Sequence, residues 1–556
     1  MTTAFLDELA RAIAADAAAA SGVPDPTVAL VPPARPEHGD IASPIALGVA
    51  KRAGRPPQQV ATAIAAALAA RDELRGILDR IEVAGPGFLN FTLTPAWFVG
   101  AVRGILDAGP SFGAATVTRS ESILLEFVSP NPTGPMHVGH ARHAAYGDAV
   151  ARLLEFVGHR VWRECYVNDF GRQMRLFGAS VAARYAEQIG EPAELPDDGY
   201  RGEYVAEIAA AIHAEIGLRF TGRVSPPDDE ALTYFATVGG QRMLARTQHE
   251  LEACRVRIDR FFSETTLQED GRVTAGIDAL RAAGHTFEAD GAVWFRTTDF
   301  GDEKDRVLVR SDGATTYLAA DVAYHLDKAA RMGDRMIDIF GADHHGYINR
   351  LKAVIAAGGY PPDALEVLIM QLVSLVEQGE AKRMSKRAGT LVTLRELVDD
   401  IGVDATRFFL VERSHDTAFE LDLDLAREQS QENPVYYVQY AHARCCSILA
   451  KAAEHGVTRA LEAAAPMELD VSERALAIRL ADWPAVAAEA AERRAPHRVV
   501  AYLKDLARDL HGFYHRCRVV GEAPDVEAFR MDLTLATRQV LATGLDVLGV
   551  NAPERM

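Results

Sequence analysis

Two histidines three residues apart, His137 and His140, enclose Gly139 in SPNPTGPMHVGHARHAAYGDAV (129–150). Far downstream, VEQGEAKRMSKRAGTLVTLREL places Lys382, Arg383, Lys386 and Arg387 within six residues. Imidazoles at i and i+3 share one face of a helical turn. There they can ligate a metal, donate to phosphate, or simply cap and pack. A metal has the weakest support: HExxH spacing is absent and no third ligand is evident. Phosphate gains from position. ESILLEFVS reads as a buried strand, SPNPTGP as a proline-stiffened turn, and MHVGHARHAAYGDAVARLLEFVG as a helix. In an α/β sheet such a turn lies at the carboxyl edge, where ligands bind. The helix start offers free N–H groups to an anion, and Gly139 leaves room for a flat base against the backbone. A P-loop is excluded, because the chain contains no Gly-Lys dipeptide. An ATP site without one needs a basic loop after a late strand, and RMSKR follows the apolar VLIMQLVSL. A solvated basic loop explains the same cations. Thr393 and Glu396 then have capping-box spacing for the next helix.

The elements that must position these groups span a chain of 556 residues, too long for one core, so three or four domains are expected. The first ~110 residues read as a small α+β unit. Helical patterns at 3–20 and 56–76 surround EHGDIASP, and a strand pair follows in RIEVAGPGFLNFTL. GPGFLN is not a dinucleotide fingerprint, since Asn90 replaces the third glycine and a strand follows it. AGPSFGA (108–114) marks a boundary. From 120 to 410 strands alternate with helices expected at 137–157, 170–188 and 345–357, the pattern of a doubly wound parallel sheet. Acidic, proline-rich EPAELPDDGYRGE and VSPPDDEA flank helical stretches near 203–217 and 230–262, so an insertion is expected over about 190–300. Beyond 425 apolar residues recur at threes and fours, predicting a helical bundle. The expected fold class is therefore α/β: a Rossmann-like parallel-sheet domain (113–424) with an insertion, a small N-terminal α+β domain (1–112) and a C-terminal α-helical bundle (425–556).

Composition, 48% apolar and 25% charged, is that of a soluble globular protein. A net charge of −19 argues against a surface that coats nucleic acid, but leaves a local basic footprint open. Five scattered cysteines without CxxC spacing point to a reducing compartment. No apolar run approaches the ~18 residues of a membrane span. FLDELARAIAADAAAASG is interrupted by Asp7, Glu8, Arg11 and Asp16 and reads as an amphipathic helix, not a signal peptide. A cytoplasmic protein with no membrane partner is expected.

HVGH resembles the HIGH motif, and RMSKR the KMSKS loop, of class I aminoacyl-tRNA synthetases. More narrowly, the chain resembles bacterial-type arginyl-tRNA synthetases over nearly its whole length. EFVSPNPTGPMHVGHARHAAYGDA, YVNDFGRQ, TTYLAADVAYHLDK, GADHHGY, RMSKRAG, VDATRFFLVER, ENPVYYVQYAHAR and terminal LGVNAPERM carry this likeness, in order along the chain. Arg383 stands where KMSKS has its first lysine, and DATR replaces DALR; the second lysine is kept as Lys386. The resemblance implies an arginine–tRNA ligase with substrates L-arginine, ATP and tRNA(Arg), acting as a monomer. Arginyl-adenylate and pyrophosphate form first, and the arginyl group then moves to the terminal ribose of tRNA; activation is expected to require the tRNA. It also implies Mg2+ accompanying ATP, with no protein side chain as metal ligand.

Matched positions then carry expected roles. His137, His140 and Lys386 are catalytic, meeting the phosphates. Gly139, Gly341, Asp343, His344, Met384, Ser385 and Lys386 bind ATP. Tyr317 and Asp321 meet the guanidinium, with Glu126 as a second carboxylate, while Ser129 and Asn131 orient the amino and carboxylate groups. A planar cation calls for such carboxylates. Asn168, Asp169 and Gln173 form a further site near the same edge. Tyr436, Tyr440, His442 and Arg444 are expected to contact tRNA by stacking and donation. The N-terminal unit, most clearly in GDIASP, resembles the appended domain that contacts the tRNA elbow in this family, and His143 has no role by motif. Two rivals remain. A related synthetase for cysteine would need thiolate zinc ligands, and one for glutamate would need cations in its pocket. A synthetase-like RNA-binding protein without catalysis would not need His137, His140 and Lys386.

Overall fold

The computed structural model describes residues 2–331, 333–382, 392–457, 466 and 468–556. Its N-terminal part comprises α1 (Thr2–Ser21), β1 (Ile41–Ser43), α2 (Ile45–Ala53), α3 (Pro57–Ala69), β2 (Leu78–Ala84), β3 (Phe88–Leu93) and α4 (Pro95–Ala108). The strands form an antiparallel sheet in the order β1-β3-β2. Residues four apart, Leu9, Ile13 and Ala17 on α1 and Val60, Ile64 and Leu68 on α3, are fully buried and close this small core. Thr94 ends the sheet and starts α4 by accepting from the Trp97 N–H.

The central part begins with β4 (Ser122–Glu126), α5 (Val138–Phe156), β5 (Arg160–Val167) and α6 (Arg172–Gln188). It continues through α7 (Glu203–Ile216), α8 (Asp229–Ala253), β6 (Arg260–Ser263), α9 (Glu264–Glu269), α10 (Arg272–Ala282), β7 (Thr286–Ala289), β8 (Ala292–Phe295) and β9 (Arg306–Val309). It closes with α11 (Tyr317–Arg331), β10 (Arg335–Gly341), α12 (Ile348–Ala357), β11 (Leu365–Met370), β12 (Val373–Glu377), β13 (Glu380–Ala381), α13 (Leu394–Val411), β14 (Phe419–Asp422) and α14 (Leu423–Arg427). Five strands form one parallel sheet in the order β11-β10-β4-β5-β6, the expected doubly wound arrangement. Its register sets Glu126 beside both Asp338 and Glu164, so three acids share one level at the carboxyl edge.

Three expectations need correction. The helix expected over 230–262 stops at Ala253, and Arg255 takes a positive φ of 59°. Arg260–Ser263 then pairs in parallel with Glu164–Val167, returning the chain to the main sheet. The interruption over about 190–300 is therefore not a single insertion. The α6–α8 helices gather their own core around Phe177, Tyr185, Phe220 and Phe235, while β7-β8-β9 form a separate antiparallel sheet. The helix expected from 345 starts at Ile348, because Ala342–Tyr347 is a tighter 3-10 turn.

The C-terminal part packs α15 (Pro434–Glu454), α16 (Val471–Ala481), α17 (Trp483–Glu492), α18 (His497–Arg516) and α19 (Pro524–Val547). Trp483, fully buried at the head of α17, donates from its indole to the Phe112 carbonyl and ties this bundle to the first domain boundary. Arg474 on α16 grips Asp40, which in turn accepts from the Leu93 N–H. Among the described residues no helix is long and apolar enough to cross a membrane.

Candidate active site

His137 is the N-cap of α5, and its Nδ1 accepts from the Gly139 N–H at 3.1 Å. Its ring stacks on that of His140, with centroids 3.8 Å apart and planes 16° from parallel. A Cβ on Gly139 would lie 2.9 Å from the His137 Cε1, so glycine is what lets the imidazole fold back over the turn. The chain entering this cap pairs with the residues that follow the basic loop. The Val138 N–H donates to Val392 O at 3.1 Å, and the Leu394 N–H to Met136 O at 2.8 Å. Thr393 and Glu396 form the expected capping box at the start of α13. Arg383–Arg387, including the expected ATP contacts Met384, Ser385 and Lys386, lie outside the described residues.

Further along α5, buried Arg142 donates to the carbonyls of Gln371, Ser414 and Thr417 and stacks over Phe419. Burial lowers its pKa to about 10. His143 is pushed down to about 4 by burial and by Arg142, so it is neutral, and it bonds the Ile339 backbone of β10.

The expected arginine-contacting residues gather at the carboxyl edge. Tyr317 opens α11 and is 70% exposed, and Asp321 lies one turn on, along the same face. Burial and the charge of Glu126 push the Asp321 carboxyl up to about 6. Glu264, at the join of β6 and α9, is pushed up to about 7 by burial and by Asp321 and Asp169, against the Tyr166 hydroxyl that bonds it. Sequence reasoning missed Glu264. In SETTLQED it reads as an ordinary acid at a helix start, and the short strand that aims it was hidden inside an expected helix.

Glu126 is buried and committed on both oxygens: Oε1 accepts from the Ser129 hydroxyl at 3.0 Å and Oε2 from Lys328 Nζ at 2.7 Å. Lys328 also bonds Asp338, whose other oxygen meets His325 Nε2 at 3.0 Å. His325 Nδ1 lies 2.9 Å from the Asp321 carbonyl, so one buried network runs from β4 through β10 to the start of α11. Ser129 Oγ accepts from the Tyr166 N–H, and the Asn131 amide donates to Gln173. Asn168 and Asp169 follow β5 directly. Asp169 caps not its own following helix, which starts from Gly171, but α9, accepting from the Ser263 hydroxyl and the Thr265 N–H. Gly341 ends β10, and in the turn beyond it the exposed side chains of Asp343 and His344 lie 3.6 Å apart.

On the bundle, Tyr436 and Tyr440 lie parallel with centroids 6.2 Å apart. The Arg444 guanidinium lies between the rings of Tyr440 and Tyr514, 4.6 and 4.3 Å from their centroids. His442 does not join them. It is two residues from Tyr440, hence on the far side of the helix. It is buried, with Nδ1 2.8 Å from the Pro553 carbonyl, so its expected tRNA contact is corrected to a structural one.

A parallel sheet with HVGH opening the helix after its central strand, and with residues 392–394 paired beside that turn, defines a class I aminoacyl-tRNA synthetase. The family models place the chain more narrowly. Residues 102–429 match the class I (R) tRNA synthetase catalytic domain, 7–93 the arginyl tRNA synthetase N-terminal domain, and 438–556 the DALR anticodon binding domain. The chain is 46% identical over 535 residues to the arginine–tRNA ligase of Syntrophotalea carbinolica, covering 96% of this chain and 95% of that one. The corresponding ligase of Bacillus subtilis is 42% identical over 532 residues, with the same coverage of 96% and 95%. The Thermus thermophilus arginyl-tRNA synthetase structure superposes with a TM-score of 0.75 at 26% identity, covering 99% of this chain and all of that one. The chain belongs to the arginyl-tRNA synthetase family, and its activity is the family's: joining arginine to tRNA with ATP as substrate.

Proposed function

We propose that the carboxyl edge of β4, β5, β6 and β10 holds arginine and ATP for in-line attack of the arginine carboxylate on the α-phosphorus. A new C–O–P linkage forms, and the bond to pyrophosphate breaks. The terminal ribose hydroxyl of tRNA(Arg) then attacks the acyl carbon and AMP leaves. One observation carries the arginine assignment. Asp321 and Glu264 are carboxyls whose ionisation is opposed by burial and by nearby acids, Glu126 for the first and Asp321 with Asp169 for the second, which is the state a desolvated guanidinium relieves. Tyr317 stands at the mouth, and Ser129 and Asn131 orient the reacting end. Glu126, spent on Ser129 and Lys328, contributes by fixing Ser129 and by its charge.

His137 and His140 donate to the phosphates, beside Gly139, while Gly341, Asp343 and His344 meet the nucleoside. Lys386, with Met384 and Ser385, stabilises charge on the departing pyrophosphate. Asn168, Asp169 and Gln173 support the pocket floor. Among the described residues no group of three His, Cys, Asp or Glu side chains could hold a metal. Mg2+ arrives on the triphosphate, where phosphate and water supply its ligands and it screens their charge. Residues 425–556 read the anticodon through Tyr436, Tyr440 and Arg444, and 1–112 touch the tRNA elbow. Five free thiols support a reducing cytoplasm.

ATP–pyrophosphate exchange tests the reading. Exchange is expected only with arginine and tRNA together, and robust exchange with lysine or glutamate would overturn it.

A further inference from the structure

Beyond the two motifs, the chain's last residues tie the helix that carries HVGH to the bundle. Three turns along α5 lies Asp148, fully buried. It accepts from Arg407 Nη2 at 2.6 Å, from Arg152 Nε at 2.7 Å and from the Arg257 N–H at 3.3 Å. Arg407, on α13, is itself 1% exposed and spends its other donors on the carbonyls of Leu548 and Cys254, at 2.9 and 2.8 Å. Leu548 opens the terminal LGVNAPERM. The next residue, Gly549, has φ +68°, and any Cβ there would overlap the Arg407 guanidinium. Its glycine is therefore required by close approach as well as by backbone conformation.

From this point the segment runs across α13 to α15. Asp404, on α13, accepts from the Asn551 N–H at 3.1 Å and from Arg255 Nη1 at 2.7 Å, and Arg255 also donates to the Gly549 carbonyl. The Gln439 amide on α15 donates at 2.9 Å to both Asp404 and the Asn551 carbonyl. Three residues on, His442 meets Pro553. Gln439 and His442 alternate along α15 with Tyr440 and Arg444, so one helix holds both the aromatic face and the strap.

We propose that residues 549–553, with Gln439, Asp404, Arg407 and Asp148, form a positioning strap that sets α5 relative to α15 and so carries the placement of bound tRNA to the HVGH turn. None of these residues touches the reacting atoms. Their effect is on how often His137 and His140 stand where the triphosphate needs them, and catalysis by positioning is sensitive to shifts of an ångström. The proposal rests on the family's charging reaction. Failure of wild-type charging with arginine would reject that reading, whatever the strap does.

The test is steady-state charging by the full chain with Gln439→Ala and, separately, Asp404→Asn, with thermal unfolding measured alongside. Gln439→Ala removes two hydrogen bonds and leaves the Arg407–Asp148 pair intact, so it serves if Asp404→Asn folds poorly. The expected result is a roughly tenfold fall in kcat, with KM for tRNA and for arginine within about twofold of wild type, the split that a lost positioning contact gives. Amide exchange over 138–156 should quicken in the same variants. An unchanged kcat overturns the proposal. So does a rise in KM for tRNA at constant kcat, which would make the strap part of the tRNA-binding face.

Discussion

Asp321 and Glu264 make the sharpest demands at the scale of the residue. Asp321→Asn keeps shape but removes a buried charge from the guanidinium; we expect KM for arginine to rise on the order of 10²-fold, from the few kcal/mol that a desolvated charge pair loses with one partner. KM for ATP should hardly move. Lys386→Ala should instead lower the rate of adenylate formation by about 10²–10³. Stopped-flow and exchange assays separate the two. Asp321 titrates near 6 and Glu264 near 7, both raised. Raised carboxyl pKa values favour the folded free protein at low pH, and that contribution is lost as pH climbs through these values. Arginine needs the ionised forms, so its affinity should strengthen over the same window. The arginine-induced rise in Tm should therefore be larger at pH 7.5 than at about 5.5; an equal or smaller rise would contradict the pocket. Tyr317 and Asp321 were legible because they sit in a long motif at helical spacing. Glu264 was not, because a single acid after four strand residues has no periodicity to betray it.

Among the elements, α5 was legible almost to the residue, since a proline-stiffened turn and an N-cap histidine mark where it can begin. What holds it was not. Arg142 satisfies carbonyls contributed by Gln371, Ser414 and Thr417, far away in sequence. Arg142→Met should take the donor from these partly buried carbonyls, costing about 2–4 kcal/mol in urea unfolding at 1–3 kcal/mol for each one that water does not reach. β6 escaped detection for a different reason. Its four residues follow Val256 and Ile258, whose apolar side chains continue the spacing of α8 past the real helix end. Only pairing with β5 chooses strand over helix there, and pairing is not a local property.

Across the whole molecule, composition shifts suggested three regions, but not how they touch. Arg474 meets Asp40 across most of the chain's length, and Asp40 is 6% exposed in its side chain. Arg474→Ala should leave that carboxylate buried without its cation, at a cost of about 3–5 kcal/mol. Faster amide exchange across residues 2–93, with β4 and β10 unaffected, is the expected signature.

The strand order carries a consequence for biosynthesis. β4 lies at the centre of the sheet, yet one of its two neighbours, β10, is made roughly two hundred residues later. At about 5–20 residues per second, β4 waits on the order of 10–40 s on the ribosome with one edge unpaired, a state prone to wrong partners. The α6–α8 helices, made during that interval, have a core of their own and can fold meanwhile. Slowing synthesis between β6 and β10 should therefore lower the soluble yield, whereas slowing it after β11 should not.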